Sequence, residues 1–132
     1  PTTLLKLKQL KALLAGTRFA EDTQFIFVTV DPARDSAEQL SKYLHYFDPE
    51  FIGLTGDFMK IHSFASQLNM AFQKSSSGEK DYLIDHSGYL ALIDSNGEYH
   101  AFFKPTKSTG SIMAFDENAI NLAYKSIRMS AK

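Results

Sequence analysis

The segment Asp81-Tyr-Leu-Ile-Asp85-His86-Ser87 places an imidazole between a carboxylate and a hydroxyl, at the entrance of the apolar run Gly88–Ile93. Imidazole is a metal ligand and a proton shuttle near neutral pH, and rigid scaffolds hold functional groups in the loops that feed their strands. His86 is therefore the first candidate for chemistry. The plainer reading is a loop histidine satisfied by Asp85 or by a backbone carbonyl. The other histidines lack this setting. His45 falls on the polar side of a helical pattern, His62 beside Phe58 and Ile61 reads as a half-buried packing residue, and His100 takes an outward position in a hairpin strand. None of these three shows a recognised metal-ligand spacing. A second cluster, Asp31, Arg34 and Asp35, follows the apolar run Gln24–Val30, and sites in α/β sheets gather beyond the carboxyl ends of parallel strands. Its plainer reading is a turn opened by Asp31-Pro32, with an ordinary surface ion pair between Arg34 and Asp35. Gly53-Leu54-Thr55-Gly56 has too few glycines to cradle a phosphate and no Lys-Ser/Thr sequel, so it reads as a strand-to-helix turn. No Ser-His-Asp arrangement can be assigned from spacing.

Composition narrows the chemistry further. The chain has no cysteine, which removes disulfides, thiol catalysis and thiolate metal sites from within these 132 residues. Lys and Arg number 14 against 15 acidic residues, for a formal charge of −1. That balance argues against nucleic acid or an anionic membrane surface as the principal partner. No apolar run approaches the roughly 18 residues of a membrane span. Hydrophobic residues make up 44 %, with 11 Phe and 6 Tyr, enough for a real core. The length predicts one domain over residues 1–132.

These candidates need elements to position them. Leu4, Leu7, Leu10 and Leu14 recur at helical spacing and predict an amphipathic helix over Thr2–Ala15, stopped by Gly16. Pro1 suits a first helical turn, so the N-cap is expected ahead of it, and the chain is read as N-terminally incomplete. Gln24–Val30 predicts a central strand buried on both faces. Ser36 with Gln39 is a capping-box pattern for a helix carrying Leu40, Tyr43, Leu44 and Phe47, ended by Asp48-Pro49. A short strand at Phe51–Leu54 and a helix over Asp57–Asn69 follow, the latter with Phe58, Ile61, Ala65 and Leu68 inward. Met70–Gln73 predicts a brief strand before the polar loop Lys74–Lys80. Gly88–Asp94 and Glu98–Phe103 flank Ser95-Asn96-Gly97, a hairpin signal. Asp116–Met129 closes the chain as a helix, with Ala119, Ile120, Ala123 and Ile127 available for packing. Alternating helices and strands followed by a hairpin and a helix predict an α/β sandwich with a mixed sheet flanked by helices.

Three motifs carry a resemblance. Val30-Asp31-Pro32-x-Arg34-Asp35, Gly53-Leu54-Thr55-Gly56 and Asp81-Tyr82-x-x-Asp85-His86-Ser87 resemble, jointly, the SCO/SenC family of thioredoxin-like copper proteins, over most of the chain. The resemblance implies a thioredoxin-like fold and a metallochaperone rather than an enzyme, serving assembly of the CuA centre of cytochrome c oxidase. It implies copper, Cu(I) or Cu(II), as the bound metal and His86 as one ligand. Two thiols of a Cys-Pro-x-x-Cys-Pro motif complete the family's set, with Asp85 and Asp31 as supporting neighbours. Here Pro1-Thr2-Thr3-Leu4 resembles the residues just after the second of those cysteines, so both thiols and the N-terminal strand leading to them are expected upstream of Pro1, and these 132 residues alone are expected to hold no copper tightly. The implied partner is the oxidase subunit carrying CuA, or another copper donor or acceptor. The implied location is the periplasmic or intermembrane-space side, tethered by an N-terminal membrane anchor outside this chain. A thioredoxin-like thiol–disulfide reductase and a cysteine-less interaction domain are the alternatives. Asp85-His86-Ser87-Gly88, standing where thioredoxins carry a proline, favours metal over dithiol exchange.

Overall fold

The computed structural model describes residues 2–68, 72–74, 84–86, 90–107 and 113–130; at residues 2, 72–74, 84–86, 107 and 113 the description is of the backbone alone. Leucine spacing builds the first element. Helix α1, Thr2–Leu14, buries Leu4, Leu7, Leu10 and Leu14 along one stripe and ends at Gly16, whose φ of +81° is the left-handed conformation that glycine adopts without a Cβ penalty. Its stripe meets Leu44, Phe51, Phe115 and Ile120, and these side chains form the main core. Ion pairs from Lys6 to Glu117 (3.0 Å) and from Lys11 to Asp48 (2.7 Å) pin its polar edge.

Strand β1, Ile26–Val28, runs parallel to β2, Ile52–Leu54, with Phe27 opposite Gly53. Helix α2, Ala37–Phe47, makes the crossover that parallel strands require. It starts on the expected capping box: Gln39 N–H donates to Ser36 Oγ (3.1 Å) and Ser36 N–H to Gln39 Oε1 (3.2 Å). Asp48 closes it. Gly53 is what lets α2 lie this close. A Cβ there would stand 2.8 Å from Leu40 Cγ and from Leu44 Cδ1.

The expectation for Gln24–Val30 needs correcting. The strand is shorter, among the described residues it pairs only with β2, and one face is open. Phe25 and Phe27 alternate toward the core, with ring centroids 5.7 and 5.0 Å from Phe51, whereas Ile26 is 50 % exposed and Leu54 47 %. An unbroken apolar run does not distinguish a strand covered on both faces from one covered on a single face.

Helix α3, Phe58–Gln67, buries Ile61, with Phe58, Ala65 and Leu68 half-buried. Strand β3, Phe72–Lys74, pairs antiparallel with β4, Ile84–His86. Strands β5, Leu90–Ile93, and β6, Tyr99–Phe103, form the predicted hairpin, with Leu90 opposite Phe103 against the core. Its turn is held by Asp94, whose Oδ1 accepts from Asn96 and Glu98 N–H at 2.9 Å, and Gly97 takes φ +78°. Strands β7, Thr106–Lys107, and β8, Met113–Ala114, make a further antiparallel pair before α4, Glu117–Ser130.

Helix α4 is rotated from its predicted face. Ile120 and Tyr124 are buried, while Ala119 and Ala123 are exposed. Tyr124 is drawn inward by a polar clasp at its hydroxyl: Thr23 Oγ1 lies at 2.7 Å and Arg128 Nη1 donates at 2.9 Å. Arg128 also grips Asp22 (2.8 Å from Nη1) and lies 4.5 Å over the Phe19 ring. Its guanidinium thereby holds the Asp22 carboxyl below the usual range. Helices and paired strands in this order make the predicted α/β architecture.

Candidate metal centre

The described part of the candidate site is the loop leaving β1. Thr29 and Asp31 are the buried polar residues of the described chain, at 7 and 8 % exposure. Desolvated polar groups must find partners inside the fold, and here they find each other. Thr29 N–H donates to the Leu54 carbonyl (3.1 Å), which continues the β1–β2 ladder. Its hydroxyl donates to Asp35 Oδ2 (2.7 Å) and accepts from Asp31 N–H (3.1 Å). The Asp31 carbonyl accepts from Arg34 and Asp35 N–H at 3.1 and 3.0 Å, and Arg34 Nε stands 3.2 Å from Asp31 Oδ2.

The turn reading of this segment is therefore right in kind, but its ion pair differs from expectation. Arg34 joins Asp31, and Asp35 takes the threonine hydroxyl instead. The reason is burial. Asp31 is the desolvated carboxylate and needs a cation, while Asp35 is satisfied by a neutral donor from the strand end. Thr29 is the residue that the sequence reading passed over. Its signal was a single hydroxyl inside the otherwise apolar run Phe25–Val30.

His86 ends β4, opposite Phe72 of β3, with Asp85 opposite Gln73. This corrects its expected place in a loop: the histidine belongs to a paired strand. Ladder pairing fixes backbone position more firmly than a free loop would. The side chains of His86 and Asp85 lie outside the described residues. Asp31 is thus the one proposed supporting residue whose side chain is described, and it stands at the carboxyl end of a parallel strand, where α/β sheets carry their sites.

His45 is exposed on α2 and His100 on β6, as expected. His62 is exposed, not half-buried, although its ring centroid lies 6.3 Å from that of Phe58. Among the described residues no group of three or more His, Cys, Asp or Glu side chains is placed to hold a metal ion, and the chain has no cysteine. No described helix is long and apolar enough to cross a membrane.

Comparison with known proteins places this geometry. The family model described as SCO1/SenC matches residues 1–120. An SCO2-like protein of Rickettsia felis is 34 % identical over 117 residues, covering 87 % of this chain and 56 % of its own length. The chain spans 54 to 58 % of the length of the leading relatives it matches. Among solved structures, yeast Sco1 with copper bound superposes with a TM-score of 0.77 at 27 % identity, over 98 % of this chain and 67 % of that one. Arabidopsis thaliana ScoI with copper bound gives 0.76 at 28 % identity, over 96 % and 73 %.

Proposed function

From the premise that this chain belongs to the SCO1/SenC family, we propose that it is the body of a copper chaperone that delivers copper to the CuA centre of cytochrome c oxidase. The observation that carries the reading is the likeness in fold to two relatives solved with copper bound. His86 supplies one ligand, by resemblance to the family's motif. Two thiolates supply the others, and the family pattern puts them just ahead of the position matching Pro1. Copper is cargo in this reading. Soft thiolates favour Cu(I), while imidazole serves both oxidation states.

The chain's own residues have two tasks. Strand β4, paired to β3, carries His86 on a fixed backbone. The Thr29–Asp31–Arg34–Asp35 network stiffens the loop that leaves the parallel strand β1, with Arg34 set against the Asp31 carboxylate. Helix α1, which would follow the second thiol directly, presents an N-terminus whose dipole favours thiolate over thiol. The partner is the CuA-bearing oxidase subunit or another copper donor or acceptor. The site of action is the periplasmic or intermembrane-space face, with the domain tethered to the membrane.

Copper titration of the protein with both upstream cysteines present tests the reading. His86→Ala is expected to abolish tight Cu(II) binding and only weaken Cu(I), because two thiolates still hold Cu(I) in low coordination. His45→Ala and His62→Ala leave both unchanged. Parent-like Cu(II) affinity in His86→Ala would remove His86 from the ligand set.

A further inference from the structure

Beside the Asp31 loop, the first turns of α2 border an open cleft of about 390 Å³, lined by Arg34, Asp35, Gln39, Leu40 and Tyr43. That volume lies within the range of ligand-binding clefts. Its chemistry is mixed. Leu40 and the Tyr43 ring are apolar, while Asp35 and Gln39 bring opposite hydrogen-bonding characters. Asp35 Oδ2 is engaged by Thr29, which leaves Oδ1 as an acceptor. Gln39 Oε1 is engaged by the Ser36 N–H of the capping box, and the NH2 end of the same amide has no partner among the described residues. A carboxylate acceptor and an amide donor bordering one cleft of mixed character complement a peptide group, which carries one N–H and one C=O.

Charge selects among possible occupants. Arg34 is balanced by Asp31 at 3.2 Å, and no cationic side chain other than Arg34 lines the cleft. A phosphate or carboxylate ligand would face Asp35 without a dedicated cation. An uncharged polypeptide segment meets no such opposition.

The aromatic side of the cleft is already ordered. Tyr43 packs edge-on against Phe47 (centroids 5.4 Å, interplanar angle 75°) yet is 47 % exposed. A ring held in place yet still exposed loses little freedom on binding, and tyrosine and arginine recur at the energetic centres of protein interfaces. We propose that this cleft docks an extended, uncharged segment of a partner polypeptide, with an apolar side chain over Leu40 and Tyr43 and a backbone amide between Asp35 and Gln39.

The test is an NMR titration of the 132-residue chain with the blocked tripeptide acetyl-Gly-Phe-Gly-amide, which involves no copper and so stands apart from the chaperone reading. Saturable amide shifts are expected at residues 34–43, equal at low and high salt. Gln39→Glu keeps an acceptor for the Ser36 cap but removes the amide donor, and should weaken binding about three- to tenfold. Tyr43→Ala should weaken it at least as much. Tyr46→Ala, on the same helix but outside the cleft, should bind as the parent does. No saturable shift, or parent-like binding by Gln39→Glu and Tyr43→Ala, overturns the proposal. So does movement of the same signals on raising protein concentration alone, which would make a second copy the occupant.

Discussion

Replacing Gly53 by alanine adds one methyl group where the structure has no room for it. The new Cβ would lie 2.8 Å from Leu40 Cγ and Cδ2 and from Leu44 Cδ1. Carbon atoms pack best at about 3.5–4.0 Å, so the gap must open by roughly an ångström. Leu44 is only 1 % exposed, and the clash at Leu40 includes its branching carbon, so neither side chain can swing clear. Overpacking of this kind costs about 1–3 kcal/mol. Gly53 is not in the left-handed region, so alanine recovers about 0.5–1 kcal/mol by restricting the unfolded chain and suiting a strand better. The net expectation is a loss of about 1–2 kcal/mol, read as a lower urea midpoint with an unchanged m-value. Truncating Leu40 to alanine in the same chain should make the two losses less than additive, because the second change vacates the space that the first one needs. A Gly53→Ala protein as stable as the parent would refute the close approach of α2 to β2.

Three further expectations follow from described contacts. Thr29→Val keeps the shape but strips the hydroxyl from Asp35 and from the Asp31 N–H; a loss of about 1–3 kcal/mol is expected, and thermal unfolding unaffected by the change would show that the network is incidental. Acid should destabilise the fold. The Asp48 carboxyl loses some ionisation to burial, but the Lys11 ammonium and the Glu50 N–H outweigh it and hold Asp48 below its ordinary 3.8, while its own N–H and Lys6 hold Glu117 below 4.5. Groups with depressed folded values add stability above their unfolded values and lose it as pH falls through the folded ones, so a melting temperature flat from pH 7 down to pH 2 would contradict these pairs. Finally, the 132 residues alone should bind Cu(I) weakly and show no thiol redox activity; tight stoichiometric binding would mean that donors other than thiolates converge.

Periodicity located every described helix to within two or three residues, because leucine stripes and a capping box are local signals. It failed where the answer depends on what lies opposite. Ile26 looks as buried in sequence as Phe27, and only the packing of Phe51 on one side separates them. Ala119 and Ala123 fitted the apolar stripe of α4, but the Tyr124 hydroxyl, whose partner Thr23 lies 101 residues away, turned the helix. The candidate site was readable in part. Asp31 and Arg34 stood out by type and position, yet which carboxylate Arg34 would choose depended on burial that no spacing encodes. His86 was singled out by its motif but expected in a loop; the predicted strand Met70–Gln73 overlaps β3, whereas its partner β4 had no alternation to announce it.

The packing of α1 against α4 has a consequence for when this chain can fold. The stripe Leu4, Leu7 and Leu10 is completed by Phe115 and Ile120, and the Arg128 clasp reaches back to Asp22. During synthesis Leu44 and Phe51 can cover part of that stripe early, but the share that Phe115 and Ile120 cover stays open until α4 has left the ribosome. Contacts that separated in sequence form slowly, because loop closure must precede them. A nascent chain in this condition is open to holdase chaperones, which act on unfolded polypeptide. Residues Glu117–Ser130 thus act as a timer: the core closes only after they arrive.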